Sequence, residues 1–224
     1  MASDPAMTEA IKTPRRSQAE RTAAMRARLI DAAVVCLNRL GYSATTLATI
    51  AEEAGVSRGG MLHQFPSKVD LMLAVVAFAS GYDERPQAPR ALNDDGDKRA
   101  QFIDQTDTVW RAQTTPAVMA KLEIMVAARS DPQLADQLPA MFNAIEARRR
   151  SFMIDFAREI GVDDAEAIES MVTLHMAAMR GLSLEMLLTD DPARIERAYG
   201  LLKRYKEDLV DRLMAEAAAK KASA

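Results

Sequence analysis

The chain has 224 residues, 49% apolar and 27% charged, which is enough to bury one large core or two modest ones and too apolar for a disordered chain. Aromatics are scarce at 5% while Ala, Leu, Met, Arg and Glu abound, so an all-α fold is expected; the longest uncharged apolar stretch, Leu71 to Tyr82, has only 12 residues, and no membrane partner is expected. A formal net charge of −3 argues against a chain coated in nucleic acid from end to end. From Ala19 to Leu40 the residues Ile30, Ala33, Val34, Leu37 and Leu40 recur at helical spacing, and Gly41 is placed to stop that helix. Thr45 and Thr46 then offer side-chain oxygens to start a short helix with Leu47, Ile50, Ala51 and Ala54 inward, ended by Gly55. Ser57 can cap a third short helix, Arg58 to Phe65, which Pro66 ends. Ser67 with Asp70 three residues on is a capping-box pattern for a fourth helix carrying Val69, Leu71, Met72, Val75, Val76 and Phe78.

Beyond Gly81, the run from Asp83 to Asp97 has no apolar period and reads as a flexible connection. Thr115-Pro116, Asp131-Pro132 and Asp191-Pro192 each set a capping oxygen before a proline suited to a first helical turn. The expected helices are 98–113, 116–129, 132–160 with a kink or restart near Pro139, 164–188, and 192–218 with fraying from Ala215. With the first four these make nine.

Charge is unevenly placed along this chain. Residues 1–80 hold 9 Lys or Arg against 7 Asp or Glu, whereas residues 81–224 hold 20 against 25. Within 12–39 there are 7 basic residues and 2 acidic ones, a basic head on an acidic body. The arm Lys12 to Arg16 has two open readings, a minor-groove finger or a solvated tail. The single cysteine, Cys36, cannot form an internal disulfide and reads as a small buried hydrophobe; together with 2 His it provides no zinc cluster, so no metal and no cofactor are expected. The reducing cytoplasm is the expected compartment, and the first 25 residues hold no apolar signal core.

Two short helices separated by a glycine-containing turn and braced by a longer helix form the pattern of a helix-turn-helix. Gly59 and Gly60 permit close approach of a backbone, Ser57 leaves amide donors near the helix start, Arg58 has forked donors that match guanine, and Gln64 can pair with adenine. His63 lies beside them. Ile30, Ala33, Leu37, Gly41-Tyr42, Thr45-Thr46, Ile50-Ala51, Ala54-Gly55-Val56-Ser57, Gly59, Phe65-Pro66-Ser67-Lys68 and Leu71 together resemble, in order and spacing, the DNA-binding domain of TetR-family transcriptional regulators. That resemblance covers residues 19–72. It implies double-stranded DNA as a partner, with Thr45, Thr46 and Lys68 joining the contact set and Thr46 and Lys68 gripping phosphates. It also implies a homodimer with a ligand-responsive C-terminal domain. Leu62 stands where the family commonly has Tyr, and Gly60 where it often has Thr or Ser, so the base code differs in detail. The expected domains are an arm at 1–18, a DNA-binding head at 19–68, and a ligand-binding and dimerisation body at 69–224.

In the body, helix 164–188 carries two apolar stripes, one of Ile168, Val172, His175, Met179, Leu182 and Met186, the other of Ala167, Leu174, Ala177, Ala178, Gly181 and Leu188. The second stripe, with Leu202, Tyr205 and Leu209 of the last helix, is the expected dimer interface, a four-helix contact; the competing reading is internal core. Eight methionines between Met119 and Met186, with Phe102, Trp110, Phe142 and Phe152, suit either core filling or an adaptable apolar pocket. The candidate effector contacts are Trp110, Met119, Glu123, Phe142, His175 and Met179, with Arg111 as a further polar anchor. The expected function is a ligand-responsive regulator, most readily a repressor; the alternatives are an architectural DNA binder without effector or an all-α enzyme. No His-Glu-x-x-His, Gly-x-Ser-x-Gly or phosphate loop supports the last, and no enzymatic activity is expected.

Overall fold

The computed structural model describes residues 17–82 and 96–223, and among them are nine α-helices and no strand. The basic arm Lys12 to Arg16 and residues 83–95 of the expected connection lie outside the described residues. Helix α1 (Gln18–Ala44) opens on a capping box in which Ser17 Oγ accepts from Glu20 N at 3.1 Å and the Glu20 carboxylate accepts from Ser17 N at 2.6 Å. Gly41 interrupts the helix at φ 74 and ψ 172, a region in which essentially only glycine rests unstrained. Helix α2 (Leu47–Ala54) is capped by Thr46 and ends on Gly55, whose left-handed φ of 61 turns the chain into α3 (Arg58–Gln64). Ser67 and Asp70 cap each other's amides at the start of α4 (Lys68–Ala79).

The body contains α5 (Lys98–Gln113), α6 (Pro116–Ala127), α7 (Pro132–Glu159), α8 (Ala165–Met186) and α9 (Pro192–Ala222). Asp131 and Asp191 accept from first-turn amides, whereas Thr115 makes no such bond and donates instead to the Ala112 carbonyl at 2.7 Å. Two expectations are corrected here. Helix α7 runs through Pro139 without a restart, because Pro139 and Ala135, the residue whose carbonyl loses its donor, both face solvent. The tail beyond Ala215 stays helical to Ala222, as alanine and lysine favour.

Three buried clusters hold the molecule together. The first joins Leu29, Leu37, Ile50, Met61 and Phe65 of the head to Leu71, Val75 and Val76 of α4, then to Ala120 and Ile124 of α6 and Leu134, Leu138 and Ile145 of α7. Each such Leu, Ile, Phe or Met contributes about 1.5–3 kcal/mol on burial, so head and body share one continuous core. The second centres on Phe102 and Phe156, edge to face at 5.3 Å, with Ile168 and Val210. In the third, Trp110 stacks on Tyr199 at 4.7 Å and packs with Met179, Ile195 and Leu202.

The stripes of α8 divide as their periodicity requires. Ile168, Val172, His175 and Met179 are buried, while Leu174 is 60% and Leu188 88% exposed, and Ala177 and Gly181 are exposed beside them. Ala178 and Leu209 are half-buried against internal clusters. On α9, Leu202 is buried within the chain against the third cluster, so the assignment of its side chain to a dimer interface is corrected. The inward stripe of α9 runs Ile195, Tyr199, Leu202, Lys206, Val210 and Leu213. Tyr205, one residue off that line and thus about 100° round the helix, is 58% exposed.

Candidate nucleic-acid interface and interior cavity

Helix α3 is a short rod with a buried and an open side. Met61 and Phe65 are in the core, while Arg58, Gly59, Leu62 and His63 are exposed, with Arg58 and Leu62 one turn apart on the same side. Ser57 is exposed and accepts from Gly60 N at 3.1 Å. A Cβ added at Gly59 would meet nothing within 4 Å, whereas one at Gly60 would lie 3.2 Å from Ser57 Oγ. Gln64 is half-buried, its amide 3.3 Å from His63 Nδ1.

Thr46 is exposed at the start of α2, but Thr45 is fully buried and donates to the Gly41 carbonyl at 2.8 Å. Its place in the DNA-contacting set is corrected: of two neighbouring threonines only one can cap α2, and the other closes α1. Lys68 is half-buried, donating to the Tyr42 carbonyl at 2.6 Å with its ammonium 3.8 Å from the Tyr42 ring centre, and burial lowers its pKa. The Tyr42 hydroxyl donates to Asp131, and the Tyr42 N–H donates to Glu123 at 2.9 Å, so this residue ties head to body.

Two arginines of the basic head have internal duties that composition alone does not reveal. Arg28 donates to the Ala54 and Gly55 carbonyls at the end of α2, and Arg26 donates to the Gln64 carbonyl at 3.0 Å at the end of α3, its guanidinium 4.3 Å from the Phe65 ring centre. Both satisfy carbonyls that a helix C-terminus leaves without partners. Cys36 is buried with Sγ 3.8 Å from the Thr49 carbonyl, and burial pushes its thiol pKa up, as suits a small apolar side chain.

Between α5, α7, α8 and α9 the body has a partly open cavity of about 50 Å³. Met153, Met171, Met176, Met179, Val172 and Phe152 give it an apolar wall; Gln105, Thr106, Arg149, His175 and Lys206 add polar groups. His175 Nδ1 lies 2.9 Å from the Met171 carbonyl and Nε2 3.2 Å from the Leu202 carbonyl, while burial lowers the imidazole pKa. Lys206 is buried, donating to the Phe102 carbonyl and to Thr106 Oγ1 at 3.1 Å; burial pulls its pKa down to about 7. No sequence signal singled out Lys206, because a lysine within an apolar stripe reads as an interruption of it.

Of the residues proposed to contact an effector, His175 and Met179 line this cavity. Trp110, Met119, Glu123 and Phe142 do not line it. Trp110 is stacked on Tyr199 in the third cluster. Met119 and Glu123 sit on α6, which packs against the head, and Glu123 serves Tyr42. Phe142 lies under the Arg180 guanidinium at 5.8 Å. Arg111 is exposed on α5 and does not line the cavity either.

Residues 29–75 match the family described as bacterial regulatory proteins, tetR family, and residues 97–216 match the tetracyclin repressor-like C-terminal domain. The HTH-type transcriptional regulator CymR of Pseudomonas putida is 30% identical over 194 residues, spanning 82% of this chain and 89% of the relative. Among solved structures, Salmonella enterica GusR superposes with a TM-score of 0.54 at 25% identity, covering 84% of this chain and 96% of GusR. A transcriptional regulator from Rhodococcus sp. Rha1 superposes with a TM-score of 0.60 at 18% identity, covering 80% and 94%. Among the described residues, no helix is long and apolar enough to cross a membrane. With a helix-turn-helix head and a matching helical body, the chain belongs to the TetR family of transcriptional regulators.

Proposed function

We propose that the protein is a cytoplasmic, ligand-responsive repressor, not an enzyme, that binds a near-palindromic operator as a homodimer and leaves it when a small, largely apolar molecule enters the body. The observation that carries this is the outward side of α3, where Arg58, Leu62 and His63 stand clear of the core that holds Met61 and Phe65. In the proposed division, residues 1–18 form an arm, 19–68 the DNA-binding head and 69–224 the effector and dimer body. Arg58, Gly59, Gly60, Leu62, His63 and Gln64 meet base edges, and Ser57, Thr46 and Lys68 meet phosphates. The exposed residues Leu174 and Gly181 of α8, Leu188 in the turn after it and Tyr205 of α9 pair with the same patch on a second chain, since exposed apolar surface of this kind marks an interface.

Effector and operator then weaken each other by an equal factor. Helix α7 is the physical link: Arg149, Phe152 and Met153 border the cavity, and Leu134, Leu138 and Ile145 of the same helix lie in the core shared with the head. Selection from random duplexes tests the reading. A symmetric site with half-sites about 34 Å or a related spacing apart supports it, and winners without common sequence refute it. On the selected site, Arg58→Ala lowers discrimination between sequences.

A further inference from the structure

The wall of the cavity in the body carries a polar group that the protein does not satisfy. Gln105 of α5 lines the space, and its side-chain oxygen is buried with no hydrogen-bond partner among the described residues. An amide oxygen in that state is costly and favours any donor that reaches it. The charged groups beside it are in the opposite condition. Arg149 is paired with Glu146 at 2.5 Å. The Lys206 ammonium has three protons and faces three acceptors, the Phe102 carbonyl, the Ile103 carbonyl at 3.5 Å and Thr106 Oγ1 at 3.1 Å. Both ring nitrogens of His175 lie against main-chain carbonyls. A charged ligand would therefore shed its water without gaining an uncommitted partner of opposite sign. Thr106, which follows Gln105 in the same wall, accepts from Lys206 and so keeps its own proton to donate.

Resting on the effector reading, we infer that the ligand is an uncharged, hydroxyl-bearing molecule, its O–H donating to Gln105 Oε1, its oxygen accepting from the Thr106 hydroxyl, and its apolar body lodged among Phe152, Met153 and Met176. A hydroxyl suits this pair because one oxygen both donates and accepts. Neighbours on a helix point about 100° apart, and both Gln105 and Thr106 border the cavity, so the two flank a shared space. No aspartate or glutamate is among the residues that line it, which leaves nothing to attract a cation. At about 50 Å³ the space is smaller than the roughly 150 Å³ pocket that holds benzene dry, so a ring or short chain enters by displacing methionine side chains, which have three rotatable bonds. The ligand is therefore of single-ring or short-chain size.

The test uses phenol, which is uncharged at neutral pH, with toluene as the counterpart bearing a methyl group in place of the hydroxyl, and benzoate and benzylammonium as ions of similar size. Binding to the full-length protein is measured by titration calorimetry. Phenol is expected to bind about 10-fold or more tightly than either ion. Gln105→Leu and Gln105→Met each remove the acceptor while keeping an apolar side chain of similar bulk, and cooperative melting shows that each variant is folded. In both, the ratio of phenol affinity to toluene affinity is expected to fall about 10-fold, the cost of a buried hydroxyl left without its acceptor. An ion that binds as tightly as phenol, a ratio unchanged in a folded Gln105 variant, or no binding by any probe overturns the inference. Operator release is measured separately with the selected duplex. An ion that binds more tightly than phenol and releases DNA leaves the effector reading standing while the hydroxyl falls; phenol that binds through Gln105 without releasing DNA does the reverse.

Discussion

Replacing Gly41 with alanine probes the joint between head and body. Gly41 sits at φ 74 and ψ 172, where a residue with a side chain is strained by about 1–3 kcal/mol. The added Cβ would also lie 3.2 Å from Glu123 Oε1, tighter than an ordinary contact. To relieve it the carboxylate must draw back from the Tyr42 N–H, which it now accepts at 2.9 Å, at a cost of about 1 kcal/mol for a partly solvated bond. The sum is about 2–4 kcal/mol, or a fall in melting temperature of roughly 5–15 °C for a chain of this length. Thermal denaturation followed by circular dichroism measures it. A double-mutant cycle with Glu123→Ala separates the parts, because without the carboxylate only backbone strain remains and the coupling is about 1 kcal/mol. A loss below about 1 kcal/mol for Gly41→Ala refutes the strain argument. Strict additivity with Glu123→Ala refutes the contact.

Other outcomes follow from the interface, the dimer patch and the buried lysines. Leu62, 38% exposed on the open side of α3, is expected to touch a thymine methyl. Replacing that thymine by deoxyuridine should weaken operator binding about fourfold, the worth of one methyl group, and Leu62→Ala should lose the dependence; a scan in which no thymine matters refutes it. Leu174→Asp alters a side chain that is 60% exposed, so the folded chain should persist while sedimentation shows the dimer dissociating. A dimer that survives Leu174→Asp and Leu188→Asp together places the interface elsewhere. Lys206 and Lys121 have pKa values pulled to about 7 and about 8 by burial, below the 10.5 of the exposed amine. Between about pH 7 and about pH 8.5 the unfolded chain therefore binds more protons than the folded one, and stability rises with pH. Lys206→Met should raise the melting temperature near pH 7 and flatten most of that rise; an unchanged slope refutes the assignment.

Local signals made much of this fold legible. Thr46, Ser57 and Ser67 cap α2, α3 and α4 as their spacing indicates, because capping is decided within a few residues. The same rule would have found Ser17 and Glu20, a capping box two residues ahead of the expected start of α1. What escaped depends on packing between distant segments. The apolar period of α6 says that it is buried but not that the head is its partner, so nothing local ties Glu123 to the Tyr42 amide. Likewise α9 offers both Leu202 and Tyr205 to a reader of its sequence, and only contact with α8 and α5 decides which turns inward. Lys206 is the sharpest case, since its surroundings, Phe102 and Thr106 one turn apart on α5 and His175 on α8, come from segments far from it in the chain.

Arg26 and Arg28 tie electrostatics to architecture in a way that constrains any redesign of the head. Thinning out positive side chains is the usual remedy for indiscriminate adhesion to nucleic acid, and a tally of the N-terminal segment would nominate these two for removal. Here that remedy would strip the carbonyl ends of α2 and α3 of their clamps and loosen the very bend that presents the reading surface. On the proposed reading, tuning grip without harming shape falls on Arg58, which is exposed and holds no helix end, and leaves Arg26 and Arg28 untouched.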